Sequence, residues 1–218
     1  MRVLTIADTH FPYHHPRFFK HLKAAIATHK PDYIVHLGDL VDFHAFSRYE
    51  HSPELPGGKG EVELARRSVR EMVDIVGSIP VYICEGNHEA RFRSALSKAG
   101  IPSSFAKSWP EILSLPATWK VAPSHCLDNI LYTHRASPVR GRALIAGNYV
   151  GIISGHCHSK HQITYSRGLN SGSRFEMVVG GCCNDESPAM AYAVNGALKT
   201  ITGYGVVDNR VPGLYTFE

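Results

Sequence analysis

The sequence predicts an α/β fold, and three observations carry that expectation. Short apolar runs alternate with helix-period segments through the first 84 residues. The second half is richer in strand-like segments. The composition, 44% hydrophobic and 19% charged over 218 residues, is that of a folded chain able to bury a sizeable core.

Val3 to Ala7 form an apolar run ending at Asp8, which reads as a buried strand. From Pro16 to Lys30, Phe18, Phe19, Leu22, Ala25 and Ile26 recur at helical spacing, and proline suits a helix start. Tyr33 to Leu37 form a second run, ending at Gly38-Asp39. Ser52 to Gly60 hold two prolines and three glycines and read as a loop. Glu61 to Val76 read as an amphipathic helix, and Val81 to Cys84 as a third strand ending at Gly86-Asn87-His88. This alternation implies a parallel sheet with right-handed crossovers. Further strands are expected at 129–133, 150–154, 160–166, 175–180, 203–208 and 213–217, with a short helix around 140–147. Without an internal repeat or linker, residues 1–218 are expected to form one domain.

Composition also narrows the setting. No apolar run reaches the roughly 18 residues that a membrane span needs, so no membrane partner is expected. The opening MRVLTIADTHF is not a secretory pattern. Five cysteines, an odd number without a CxxC pair, fit a reducing compartment, so a cytoplasmic location is expected. The net charge of +4 is compatible with an anionic substrate. Fourteen histidines make their placement the first thing to examine.

In open parallel sheets, ligands bind at the carboxyl ends of the strands. Five expected strand ends carry metal-type residues: Asp8-Thr9-His10, Gly38-Asp39-Leu40-Val41-Asp42, Gly86-Asn87-His88-Glu89, Thr133-His134 and Gly155-His156-Cys157-His158. Asp8 and His10 are two apart, as are His156 and His158, so each pair can face one side of an extended chain. Cys157 then faces away and is excluded as a ligand. Mixed oxygen and nitrogen donors suit Mn, Fe or Zn better than Mg or Ca.

DTH, GDLVD, GNHE, YTH and GHCH, running from residue 8 to residue 158, resemble in order and spacing the motifs of the calcineurin-like metallophosphoesterase superfamily. The GGCCND segment near residue 180 and the final strand pair resemble small phage and prophage members. The resemblance implies a four-layer α/β/β/α sandwich of two mixed sheets flanked by helices. It implies one metal held by Asp8, His10, Asp39 and His158, and a second held by Asp39, Asn87, His134 and His156. His88 is then the general acid, and Asp42 the residue that orients it. Two divalent transition-metal ions are implied, Mn foremost, with Fe, Zn, Ni or Co as alternatives. Such a pair can share a hydroxide and clamp the attacking and leaving oxygens of an in-line displacement. A cationic histidine beside a carboxylate can protonate the leaving oxygen.

The expected substrate is a phosphate ester, foremost a diester, and a nucleic acid or nucleotide is within range. Protein phosphatases of the superfamily carry an arginine after GDxxD and another just before GNHE. Here those places hold Phe43 and Glu85. The SbcD-type nucleases have GNHD and extra DNA-binding regions, whereas this chain is short and has Glu89. A phosphomonoesterase, such a nuclease and a non-catalytic scaffold are the alternatives.

Outside the motifs, nine histidines are expected mostly at the surface, although His44 and His161 could face the cleft. Arg48, Arg91, Arg93 and Arg135 flank the motifs and, taken singly, read as solvated side chains that could instead grip phosphate. Cys182 and Cys183 read as buried thiols, and the aromatic loops 11–15 and 43–49 as packing, with stacking on a base or an aryl group as the alternative.

Overall fold

The computed structural model describes residues 1–48, 52–135, 149–167, 172–190 and 199–217. Two sheets form its frame. In the first, β1 (Arg2–Ile6), β2 (Tyr33–His36), β3 (Val81–Cys84) and β4 (Lys120–Ala122) run parallel. The antiparallel hairpin of β10 (Gly203–Asp208) and β11 (Val211–Thr216) extends this sheet beside β1. The second has the order β5-β6-β7-β9-β8, from β5 (Ser124–Leu127), β6 (Ile130–Thr133), β7 (Gly151–Ser154), β8 (Gln162–Arg167) and β9 (Ser173–Val178). Its three inner strands are parallel and its two edges antiparallel.

The alternation of side chains along each strand explains the layering. Leu4 and Ile6, Ile34, and Val81 and Ile83 pack with Phe18, Leu22 and Ala25 of α1 (Phe18–His29) and Ala65, Val69, Met72 and Val76 of α2 (Gly58–Val76). The intervening residues Val3, Ala7, Val35, Leu37 and Cys84 join Ile130, Tyr132, Ile153, Phe175 and Met177 of the second sheet. A strand buried on both faces reads as an unbroken apolar run, which is how β1 to β3 read. The two apolar clusters thus stand on opposite faces of the first sheet. This is the expected architecture of two mixed sheets flanked by helices. The helix expected at 140–147 lies outside the described residues.

Several boundaries differ from expectation. Helix α2 starts at Gly58, inside the segment read as a loop, and the β10–β11 hairpin starts two residues earlier in its second strand. Besides short 3-10 turns, two α-helices and two strands went unread: α3 (Glu89–Lys98), α4 (Trp109–Leu113), β4 and β5. Only Glu89 is buried in α3, so no apolar stripe marks it. The five-residue α4 is opened by Ser108, whose N–H donates to Glu111 at 2.9 Å, a cap whose Ser-x-x-Glu signature is in the sequence. Strands β4 and β5 have three and four residues, too short for a period.

Candidate metal centre

Main-chain hydrogen bonds lock the loops at the strand ends together. Asp8 donates to Gly38 at 3.1 Å, His10 to Asp39 at 3.0 Å and Phe11 to Leu40 at 2.8 Å. Gly155 N–H reaches the His134 carbonyl at 3.1 Å across the second sheet, and Cys182 N–H reaches that of Asp8. Asp8, His10, Asp39 and His156 all adopt positive φ, between 49° and 68°. Strained backbone of this kind costs about 1–3 kcal/mol per residue and concentrates at functional sites.

The loops bring all seven motif side chains into one cluster. Around His10, His158 Nε2 lies 3.3 Å from Nε2, and Asp39 Oδ2 lies 3.9 Å away. His158 Nε2 is 3.4 Å from Asp8 Oδ1. Around His134 Nε2 gather Asn87 Oδ1 at 3.1 Å, His156 Nδ1 at 3.2 Å and Asp39 Oδ2 at 3.2 Å. Asp39 Oδ2 therefore touches both halves of the cluster, and His134 Nδ1 is also 3.9 Å from Asp8 Oδ1.

Partners on the far side of two rings set which nitrogen faces inward. His10 Nδ1–H donates to Asp42 Oδ2 at 2.9 Å, and His134 Nδ1–H to the Leu37 carbonyl at 3.0 Å. Each Nε2 is left facing the cluster, where it can turn a lone pair to a metal once any proton on it is displaced, the arrangement typical of a metal-ligating histidine.

The electrostatics belong to a crowded set of donors. Burial alone would raise the Asp39 carboxyl, but His88 and His134 outweigh it and hold it well below the usual range. Burial opposes protonation of His134, yet Asp39 pushes it up to about 9. His158 is raised against its burial by Asp8. Burial instead lowers His10 and His156, helped by the positive neighbours His88 and His134 respectively.

Asp8 Oδ1 is fully buried and has no hydrogen-bond donor. A buried carboxylate oxygen without a partner costs free energy unless a cation supplies what a donor does not. Converging carboxylates and imidazole nitrogens fit a divalent transition metal. Asp8, His10 and His158 form one such group, and Asp39, His134 and His156 another, each with donor atoms within 4.8 Å.

His88 lies beside the cluster, its Nε2 3.8 Å from Asp39 Oδ2. Its Nδ1 donates to the main-chain carbonyl of Asp42 at 2.9 Å, and the Asp42 carboxylate is 3.3 Å away. Asp42 thus contacts His88 as expected, but its carboxylate makes its closer bond to His10. Burial disfavours the His88 cation, and Asp39 and Asp42 overcome this and raise its pKa. Arg91 lies 2.9 Å from His88 Nε2, a geometry that suits the neutral ring. Protonation of that nitrogen requires the guanidinium to turn off it.

Three residues outside the expected set also support the cluster. Buried Glu89 accepts main-chain N–H groups from Leu40 and Gly86, both at 2.7 Å, and from Asp39 at 3.2 Å. It clamps the second motif loop to the third, and as the last letter of GNHE it was visible without an assigned task. Arg91 bonds the Asp42 carboxylate at 3.0 Å, which corrects its reading as a solvated arginine. Cys183 Sγ lies 3.4 Å from His158 Nδ1.

The expectation of mostly surface histidines holds for six of the eight described outside the motifs, which are partly exposed, and fails for two. None of the eight described non-motif histidines is fully exposed, and His36 and His44 are buried. Burial lowers His36 to about 3. The neutral ring donates through Nε2 to Thr9 Oγ1 at 3.0 Å and accepts Gly38 N–H through Nδ1 at 3.2 Å. His161 accepts Gly180 N–H.

A family profile described as calcineurin-like phosphoesterase matches residues 1–160, which hold every motif of the cluster. The chain belongs to the calcineurin-like phosphoesterase family. Its relatives include the Gene 54 protein of Mycobacterium phage L5, 25% identical over 240 residues that cover 97% of this chain and 93% of the relative. Vacuolar Protein Sorting 29 from Cryptosporidium parvum superposes with a TM-score of 0.50 at 14% identity, covering 99% of this chain and 96% of the other. Vps29 of Chaetomium thermophilum gives 0.50 at 11% identity, covering 100% and 88%. At these identities the structural likeness speaks for the fold of this phosphoesterase family member and for nothing finer.

Proposed function

We propose that the chain hydrolyses phosphodiesters with two divalent metal ions, Mn foremost. Asp8, His10, Asp39 and His158 would hold one ion. Asn87, His134, His156 and again Asp39 would hold the other. When bound, such ions supply Lewis acidity toward phosphoryl oxygens and bring the pKa of water near neutrality. The observation that carries this reading is Asp39 Oδ2 lying within 4 Å of His10 and His134 at once, beside the buried Asp8 Oδ1, which is 3.4 Å from His158.

His88 would give its proton to the leaving oxygen through Nε2, the nitrogen left over by the Nδ1 bond to Asp42, once the Arg91 guanidinium has turned off it. Asp42 would hold His10 and His88 together, and Arg91 would fix Asp42. A diester is favoured over a dianionic monoester by Phe43 and Glu85, which occupy the places of the protein phosphatases' arginines. Phe43 is buried in the core, and Glu85 accepts a bond from Trp109 Nε1 at 3.0 Å.

Hydrolysis of bis-p-nitrophenyl phosphate and p-nitrophenyl phosphate with added Mn tests the reading. The diester should turn over faster. His88→Ala should lower turnover while keeping the metals, and Asp39→Ala should lose metal as well. Faster turnover of the monoester would refute the diester assignment.

A further inference from the structure

One ring of the cluster owes its orientation to residues outside the five metal-type motifs. His158 Nδ1 points away from the centre onto the Cys183 thiol at 3.4 Å. That thiol is buried and lies 3.5 Å from Thr200 Oγ1. Thr200 in turn bonds Asp185 twice: its hydroxyl meets Oδ1, and its N–H donates to Oδ2 at 2.7 Å.

The donor and acceptor inventory gives this line a direction. A carboxylate only accepts, so the Thr200 proton goes to Asp185. The Thr200 oxygen is then left to accept the thiol proton, and the sulfur lone pair is left to accept Nδ1–H from His158. Nε2 of His158 is thereby turned toward Asp8 Oδ1 and His10 Nε2, the position from which it can give a lone pair to a metal. The thiol is well placed to do this because its own segment is anchored. Cys182 N–H bonds the Asp8 carbonyl, and residue 183 bridges His14.

We propose that Asp185, Thr200 and Cys183 form a proton-directing relay that holds His158 in its metal-binding tautomer, with Cys183 as a positioning residue. The inference rests on the two-metal reading and extends it to the C-terminal part of the chain, beyond the residues the family profile matches. Partners behind a metal-ligating histidine commonly change metal affinity by about 10–100-fold when removed. A thiol that merely filled space would leave the tautomer untouched.

The test uses zinc, which is diamagnetic, with the full-length protein labelled with 15N-histidine. Calorimetric titration gives the affinity, and two-bond proton–nitrogen correlation spectra of the zinc-loaded protein give the His158 tautomer. Cys183→Ala should weaken zinc binding by about tenfold and blur the His158 signal between tautomers. Cys183→Ser, which keeps a donor and an acceptor, should recover most of the affinity. Thr200→Val leaves the thiol in place and should move both readouts in the same direction as Cys183→Ala. Equal affinity and an unchanged tautomer in Cys183→Ala and Thr200→Val would overturn the relay. Should Cys183→Ala fail to fold, Thr200→Val alone decides between the two results. Absence of zinc binding by the wild type would instead sink the two-metal reading and the relay with it.

Discussion

A β-carbon at Gly86 would lie 2.1 Å from Asp39 Oδ1 and 2.5 Å from the Asp39 nitrogen, so the third motif loop can approach the second only without a side chain. Gly38 meets the same demand in another form, with φ at +98° and His134 Cβ 2.8 Å from where its own would stand. Gly86→Ala is therefore expected to destabilise the fold by about 1–3 kcal/mol in chemical denaturation. It should also weaken Mn binding, because Asp39 must move. Protonation gives a second expectation. His134 is pushed up to about 9 in the metal-free protein, so a metal must displace a proton to bind there below that pH. Apparent affinity should rise by about tenfold per pH unit between pH 7 and 9 and level off above, as read by calorimetry. A flat profile would show that His134 carries no proton to displace. The seven clustered side chains and His88 were legible because each sits in a short motif at a strand end. Glu89, Arg91 and Cys183 were not, because their tasks are hydrogen bonds to residues 48 to 50 or 25 positions away, which no local pattern encodes.

Helix α2 illustrates how an element serves the centre without touching it. Its first-turn carboxylate, Glu61, is buried and accepts N–H groups from His44 at 2.7 Å and Ala45 at 2.9 Å, fixing the loop that follows Asp42. Burial raises Glu61 to about 7 from its ordinary 4.5, and the two N–H bonds only partly oppose this. A carboxyl raised in the folded state contributes stability that is complete below pH 4.5 and lost as pH climbs through 7. The shift corresponds to at most about 3 kcal/mol. Glu61→Gln should thus gain stability relative to wild type as pH rises from 4.5 to 8, whatever the offset at low pH. A pH-independent difference in unfolding free energy would contradict the assignment. Helix α3 clamps the motif loops from its first residue, and Glu89→Ala, which strands four buried N–H groups, should cost at least about 3 kcal/mol. Strands β1 to β3 and helices α1 and α2 were legible because burial on one or both faces writes a period into the sequence. Helix α3 and strands β4 and β5 were not, because they bury one residue or none.

At the scale of the whole molecule, the centre exists because parallel strands of two sheets end side by side. Strands β1, β2 and β3 supply Asp8, His10, Asp39 and Asn87, and β6 and β7 supply His134, His156 and His158. Sequence order alone implied the first sheet. The joining of the second to it depends on the shared cluster of Val3, Val35, Ile130, Ile153 and Met177, which only three-dimensional packing reveals. A metal that binds across this junction should stabilise both sheets at once. At a free concentration of 100 times the dissociation constant, each site should add about 2.7 kcal/mol, seen as a rise in the thermal midpoint that EDTA reverses. The most direct measurement is the metal stoichiometry of wild type and Asp39→Ala under saturating Mn, read together with diester hydrolysis. Two ions per wild-type chain, fewer in Asp39→Ala, and turnover that follows occupancy are expected. A wild-type chain that retains no Mn and still hydrolyses the diester, or binds two ions undisturbed by Asp39→Ala, would contradict the assignment.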